Sequence, residues 1–157
     1  MDYMLLREQL EALAETDSWY LPLLSNAAAL IYDSMEDLNW AGFYIMRGGR
    51  LVLGPFQGKL ACVHIPVGRG VCGTAAARDC TQRVADVHAF AGHIACDSAS
   101  NSEIVVPIHH GGEIVGVLDI DSPRPDRFSE ADQAGLEALV KAIEAVADFS
   151  GVASEVK

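Results

Sequence analysis

The sequence predicts an α+β domain in which a central antiparallel sheet carries the N- and C-terminal helices packed on one face. Three observations lead there. Apolar residues recur at helical spacing at both ends of the chain, aromatic and β-branched stretches twice double back across a Gly-Gly pair, and a Ser-Pro-Arg-Pro-Asp run separates the last strand from the closing helix.

Each element can be justified in order. In residues 3–15, Leu6, Leu10 and Leu13 recur every three or four positions, with Met4 and Leu5 alongside, and make one helical face. A second helix starts near Ser18, holds Pro22 in its first turn, where the missing N–H costs no hydrogen bond, and runs through Leu23, Leu24, Ala27, Leu30 and Ile31 toward Met35. Asn39 to Phe56 reads as a hairpin turning at Gly48-Gly49, with Trp40 and Tyr44 on its first strand. Residues 59–65 predict a third strand containing Cys62. After Gly68-Arg69-Gly70, the small-residue run Val71 to Arg78 predicts a short helix with Cys72 in its first turn. Thr81 to Val87 is a short strand candidate, and His88 to Asn101 is irregular and contains Cys96. Ser102 to His110 and Glu113 to Asp121, joined by Gly111-Gly112, form the clearest hairpin. Ser129, with Asp132 three residues on, caps a long amphipathic helix through Leu136, Leu139, Val140, Ile143, Val146 and Ala147, and the tail after Gly151 is expected to fray.

At 157 residues the chain can bury roughly 70% of its unfolded surface, so a single domain over 1–157 is expected, with its core at about 18–149. Half of the residues are hydrophobic, yet no window approaches the ~20 apolar residues of a membrane span. With 22 acidic against 11 basic side chains, the formal net charge of −11 opposes binding to nucleic acid or to anionic membranes. Small molecules and proteins are the expected partners. The N-terminal MDYMLLREQLEALAE lacks the basic region and long apolar stretch of a secretory signal, which places the chain in the cytoplasm with its four cysteines normally reduced.

No two cysteines form a Cys-x-x-Cys pair. Cys80 is expected to be an ordinary buried thiol. Cys96 lies in a polar, glycine-containing loop near His93, as a reactive thiol would, although Asp97 beside it raises its pKa. Cys72 at a helix N-terminus gains thiolate character from the dipole, and Cys62 enters the same loop system. Two or three thiols converging on one pocket suit a cycle in which one is oxidised to a sulfenic acid and another resolves it as a disulfide. Zinc held by some of Cys62, His64, Cys72, His88, His93 and Cys96 is the competing reading, disfavoured by irregular spacing, so neither metal nor cofactor is expected. His109 and His110, beside the hairpin turn, read as solvated.

Counting by two along the last strand puts Asp119 and Asp121 on one face with Val117, and Ile114, Leu118 and Ile120 on the other. Glu103 on the partner strand can meet that pair. Clustered carboxylates raise one another's pKa, which permits one to stay neutral as a proton donor while an ionised neighbour holds a ligand's ammonium.

The stretches GRGVCGTAA (68–76), ADVH (85–88), GHIACD (92–97), SNSEIVVP (100–107) and GVLDIDS (116–122), together with NWAGFY (39–44) and LVLGPFQG (51–58), resemble the free methionine-(R)-sulfoxide reductases of the GAF-domain superfamily, over about 23–146. The resemblance implies a GAF-like domain and an enzyme that reduces the R epimer of free methionine sulfoxide with electrons from thioredoxin. It places the catalytic cysteine on Cys96, the resolving cysteine on Cys62 and a further redox cysteine on Cys72. Substrate-binding acids fall on Glu103, Asp119 and Asp121, and pocket aromatics on Trp40 and Tyr44; Cys80 has no counterpart. The 88–101 loop is the expected lid, and the resemblance is compatible with a homodimer. The alternative is a GAF-type sensory module that binds a small ligand without turnover.

Overall fold

The computed structural model describes residues 1–93 and 99–153. Two helices, α1 (Tyr3–Thr16) and α2 (Tyr20–Ser34), precede a hairpin of β1 (Trp40–Arg47) and β2 (Arg50–Gly58). The short β3 (His64–Pro66), α3 (Gly70–Arg78) and β4 (Gln82–Val84) follow, then a second hairpin of β5 (Ser102–His110) and β6 (Glu113–Ser122), and finally α4 (Glu130–Val146) and the one-turn α5 (Ser150–Ala153). The six strands form one sheet in the order β3-β2-β1-β6-β5-β4, with every neighbouring pair antiparallel. Both hairpin turns use consecutive glycines at positive φ, 60° and 78° at Gly48-Gly49 and 60° and 79° at Gly111-Gly112. That geometry matches the twist of the strands it joins.

Strand alternation sorts the side chains into two cores. Ala41, Phe43, Ile104, Val106, Leu118 and Ile120 point to the face covered by α1, α2 and α4, where they meet Leu6, Leu10, Leu24, Ile31, Leu136 and Ile143. The terminal helices thus share one face, as the apolar periodicity at the two ends predicts. Ser129 and Asp132 cap α4 reciprocally, each side chain accepting the other's backbone N–H at 3.0 Å. The opposite face gathers Trp40, Tyr44, Val105 and Val117 beneath α3.

Three local expectations need correction. The third strand is only His64–Pro66, so Cys62 precedes it in an irregular segment. Ile114 joins the α3 face, because the β5–β6 register slips between Ile108↔Gly116 and His109↔Ile114 and leaves Val115 as an extra residue. Cys80 is exposed: α3 ends at Asp79 in the left-handed conformation (φ 52°), which turns the next residue outward. The chain beyond α4 closes the core, whose expected limit near residue 149 it matches. Phe149 is fully buried and stacks on Tyr20 at 5.7 Å between ring centres, and Val152 is buried in α5; residues 154–157 lie outside the described residues.

Gly42, paired with Phe56 on β2 and Asp119 on β6, has no room for a side chain. A Cβ there would lie 2.4 Å from Cβ of Phe56 and 2.8 Å from its Cα, on the partner strand. Gly42→Ala is therefore expected to destabilise the fold by about 1–3 kcal/mol, as overpacking does. Denaturant unfolding checks this, and an unchanged midpoint would contradict it. Among the described residues, no helix is long and apolar enough to cross a membrane.

Candidate active site

Three neighbouring strands bring the predicted acids and aromatics together. Across β1, β6 and β5, Trp40 pairs with Asp121 and Asp121 with Glu103; one step along, Gly42 pairs with Asp119 and Asp119 with Val105. Period-two alternation then sets Trp40, Asp121, Glu103 and Asp119 on the same face of the sheet, and α3 lays Cys72 over them. Trp40, Tyr44, Cys72, Glu103, Asp119 and Asp121 all line one cavity. Leu60, Ala61, Ile65, Val71, His93 and Ser100 complete its wall. Of this second group, sequence reasoning singled out only His93, as a neighbour of Cys96 and a possible zinc ligand; the others carry no distinctive chemistry.

The acids are buried at 6–9% exposure. Burial, then the charges of Asp119 and Asp121 and hydrogen bonds to both, push Glu103 well above the ordinary carboxylate range. Burial also raises Asp119, but hydrogen bonds from Glu103 and Cys72 oppose the shift. Both acids are thus pushed above the ordinary carboxylate range by burial, the condition under which a carboxyl can stay neutral and donate a hydrogen bond. Cys72 Sγ lies 3.9 Å from Glu103 Oε2. The expectation of a thiolate at Cys72 fails on magnitude: full burial first, and then Asp119, Glu103 and Asp121, raise its pKa well above the normal thiol value. One helix terminus cannot outweigh desolvation beside three carboxyl groups.

The aromatic wall is stacked. Trp40 lies 5.2 Å from Phe56 with 14° between ring planes, and 5.9 Å from Tyr44 with 26°. Both aromatic polar atoms hold the segment that carries Cys62. Trp40 Nε1 donates to the Lys59 carbonyl at 3.1 Å, and the Tyr44 hydroxyl donates to the Cys62 carbonyl at 2.9 Å. Cys62 is half of a disulfide, whereas Cys72 and Cys80 are free thiols. Cys96, and with it the centre of the expected 88–101 lid, lies outside the described residues.

The histidines of the zinc reading have other positions. His64 is exposed on β3, and His88 Nε2 contacts Asn101 Oδ1 at 3.1 Å. The ring of His93 stands edge-on to His88, with 6.2 Å between centres, and its pKa is lowered by burial and by that neighbour.

Away from the cavity, His109 is not the solvated residue its place near a turn implied. Its Nε2 meets Asp79 Oδ1 at 2.5 Å and its Nδ1 meets Glu144 Oε2 at 3.1 Å, tying the end of α3 to β5 and α4. Partial burial alone would lower its pKa, but the hydrogen bonds and charges of the two carboxylates outweigh that and raise it. A raised folded pKa contributes stability that is complete below the unfolded value of about 6.5 and is lost as pH rises through the folded value. His109→Gln should therefore lower the melting temperature more at about pH 6 than at about pH 9. An equal loss at both would show that the charge of His109 contributes nothing.

The fold and this site agree with what the chain is similar to. The GAF domain family matches residues 23–146. The chain is 55% identical over 144 residues to the "Free methionine-R-sulfoxide reductase" of Escherichia coli (strain K12), covering 92% of this chain and 87% of that protein. The structure described as the reduced form of fRMsr of Staphylococcus aureus superposes with a TM-score of 0.91 at 53% identity, covering 94% of this chain and 96% of that one. A free methionine-R-sulfoxide reductase from Neisseria meningitidis, described as in complex with its substrate, superposes with a TM-score of 0.89 at 42% identity, covering 96% and 91%. A GAF sheet with a buried acid trio facing a stacked aromatic wall, joined to this level of identity over nearly the whole chain, makes the protein a member of the GAF-domain family and, within it, of the free methionine-R-sulfoxide reductases.

Proposed function

We propose that this chain reduces free L-methionine (R)-sulfoxide to L-methionine, with Cys96 as nucleophile, Cys62 as resolving thiol and thioredoxin as reductant. The observation that carries the reading is a trio of buried acids, Glu103, Asp119 and Asp121, facing a stacked aromatic wall in one cavity bordered by the segment of Cys62. The Neisseria meningitidis relative, described as holding its substrate, supports the choice of ligand.

Each step balances. The Cys96 sulfur attacks the sulfoxide sulfur while Glu103 protonates the sulfoxide oxygen, which lessens the charge developing there. The oxygen passes to Cys96 as a sulfenic acid, and methionine departs. The Cys62 thiol then attacks the sulfenic sulfur, water leaves and a disulfide forms. An external dithiol reduces that disulfide by thiol exchange and is itself oxidised. In sum, one sulfoxide and two thiols give one thioether, one disulfide and one water. The disulfide on Cys62, with Cys72 and Cys80 both free, supports Cys62 as the direct resolver. Asp119 and Asp121 are suited to the substrate ammonium, and Trp40 and Tyr44 to its S-methyl group.

Steady-state assay with thioredoxin, its reductase and NADPH tests the proposal: turnover of the free R epimer is expected, and binding without turnover would favour the sensory module. Trp40→Ala should lower kcat/KM by about 10- to 100-fold, chiefly through KM, because it removes an apolar contact made in both ground and transition states. Steady-state kinetics measure this, and an unchanged KM would remove Trp40 from the binding site.

A further inference from the structure

Three buried groups on the cavity floor each offer one donor atom, and all three atoms lie within 4.8 Å of one another: Sγ of Cys72 and one carboxylate oxygen each from Glu103 and Asp119. They come from three elements, α3, β5 and β6, so the sheet register and the seat of α3 hold them together. A second observation is independent of that spacing. Asp119 is 6% exposed and lines the cavity, and its Oδ1 is buried with no hydrogen-bond partner among the described residues. Buried polar atoms are normally satisfied, and this one is left without a partner beside the other two donors.

We propose that Cys72, Glu103 and Asp119 form a binding site for a single borderline-soft divalent cation of the zinc type, and that the bound cation inhibits the protein by occupying the substrate cavity. One thiolate and two carboxylates suit Zn²⁺, which accepts three protein ligands and leaves a fourth position for water. Ca²⁺ and Mg²⁺ prefer six or more oxygen donors and gain nothing from sulfur. Tetrahedral bonds of about 2.0–2.3 Å place neighbouring donors roughly 3.5 Å apart, so the three atoms need only a small inward adjustment. Inhibition rests on the reductase function proposed above; cation binding does not.

The test uses the whole chain in its oxidised form, where Cys62 is in its disulfide and Cys72 and Cys80 remain as free thiols. Titration with Co²⁺ reads thiolate ligation through the sulfur-to-cobalt charge-transfer absorption. One equivalent is expected to produce the band, and Zn²⁺ should displace it. The band should persist in Cys80→Ser, vanish in Cys72→Ser, and need at least about tenfold more metal in Asp119→Asn. Excess methionine should displace the cobalt. Absence of the band in the wild-type chain, its survival in Cys72→Ser or its loss in Cys80→Ser would overturn the site. Cobalt binding unaffected by methionine would overturn the inhibitory competition, whereas failure of turnover in the metal-free assay would fall on the reductase reading alone.

Discussion

Cys96→Ser is expected to release no methionine, even in a single turnover, while Cys62→Ser releases about one equivalent per chain and then stalls. The difference follows from the order of bond changes. The first thiol must attack the substrate sulfur before anything leaves, so replacing it should lower the chemical rate by at least about 10³-fold. The second thiol acts only after methionine has departed, and its loss leaves a sulfenic acid that recycles slowly. Rapid-quench measurement of methionine against protein, followed by steady-state recycling, separates the two steps. Full recycling by Cys62→Ser would transfer the resolving role to Cys72, whose sulfur is buried beside Glu103.

The second large effect belongs to Glu103. Glu103→Gln keeps the shape and a hydrogen-bond donor but has no proton to give, and should slow methionine release by about 10²- to 10⁴-fold. In the wild-type protein the neutral acid survives above the ordinary carboxylate range because burial and the charges of Asp119 and Asp121 hold its proton. The single-turnover rate should therefore fall as pH rises through that elevated value, and the fall should be absent in Glu103→Gln. The same substitution should raise stability at neutral and alkaline pH. A carboxyl whose folded pKa lies above its unfolded value stabilises the fold least once the unfolded group has ionised, and the amide escapes that penalty. A variant both slower and more stable is hard to explain by misfolding; an unchanged rate would leave Glu103 with a binding role only.

Much of this site was legible in the sequence because its logic is periodic. Counting by two put Asp119 and Asp121 on the face of Val117, and the Gly111-Gly112 hairpin brought Glu103 opposite Asp121. The Ser129–Asp132 capping pair and the apolar stripe of α4 were equally local. What escaped was set by single backbone events or by long-range contacts. One extra residue at Val115 turned Ile114 to the other face, and one left-handed residue at Asp79 exposed Cys80. The thiol of Cys72 read as activated from its helix position alone, since its burial under three carboxyl groups comes from strands remote in sequence. The His109 contacts with Asp79 and Glu144 likewise join residues 30 and 35 positions away.

Chemistry confined to this cavity should act on one epimer of a free amino acid, which a single-turnover experiment reads directly. Fully reduced protein, stripped of external reductant, is mixed with separated R and S epimers of free methionine sulfoxide, and released methionine is counted with the thiols consumed. About one methionine per chain from the R epimer, with two thiols lost and almost nothing from the S epimer, is the predicted result. No methionine from the R epimer, or equal release from both, would contradict it.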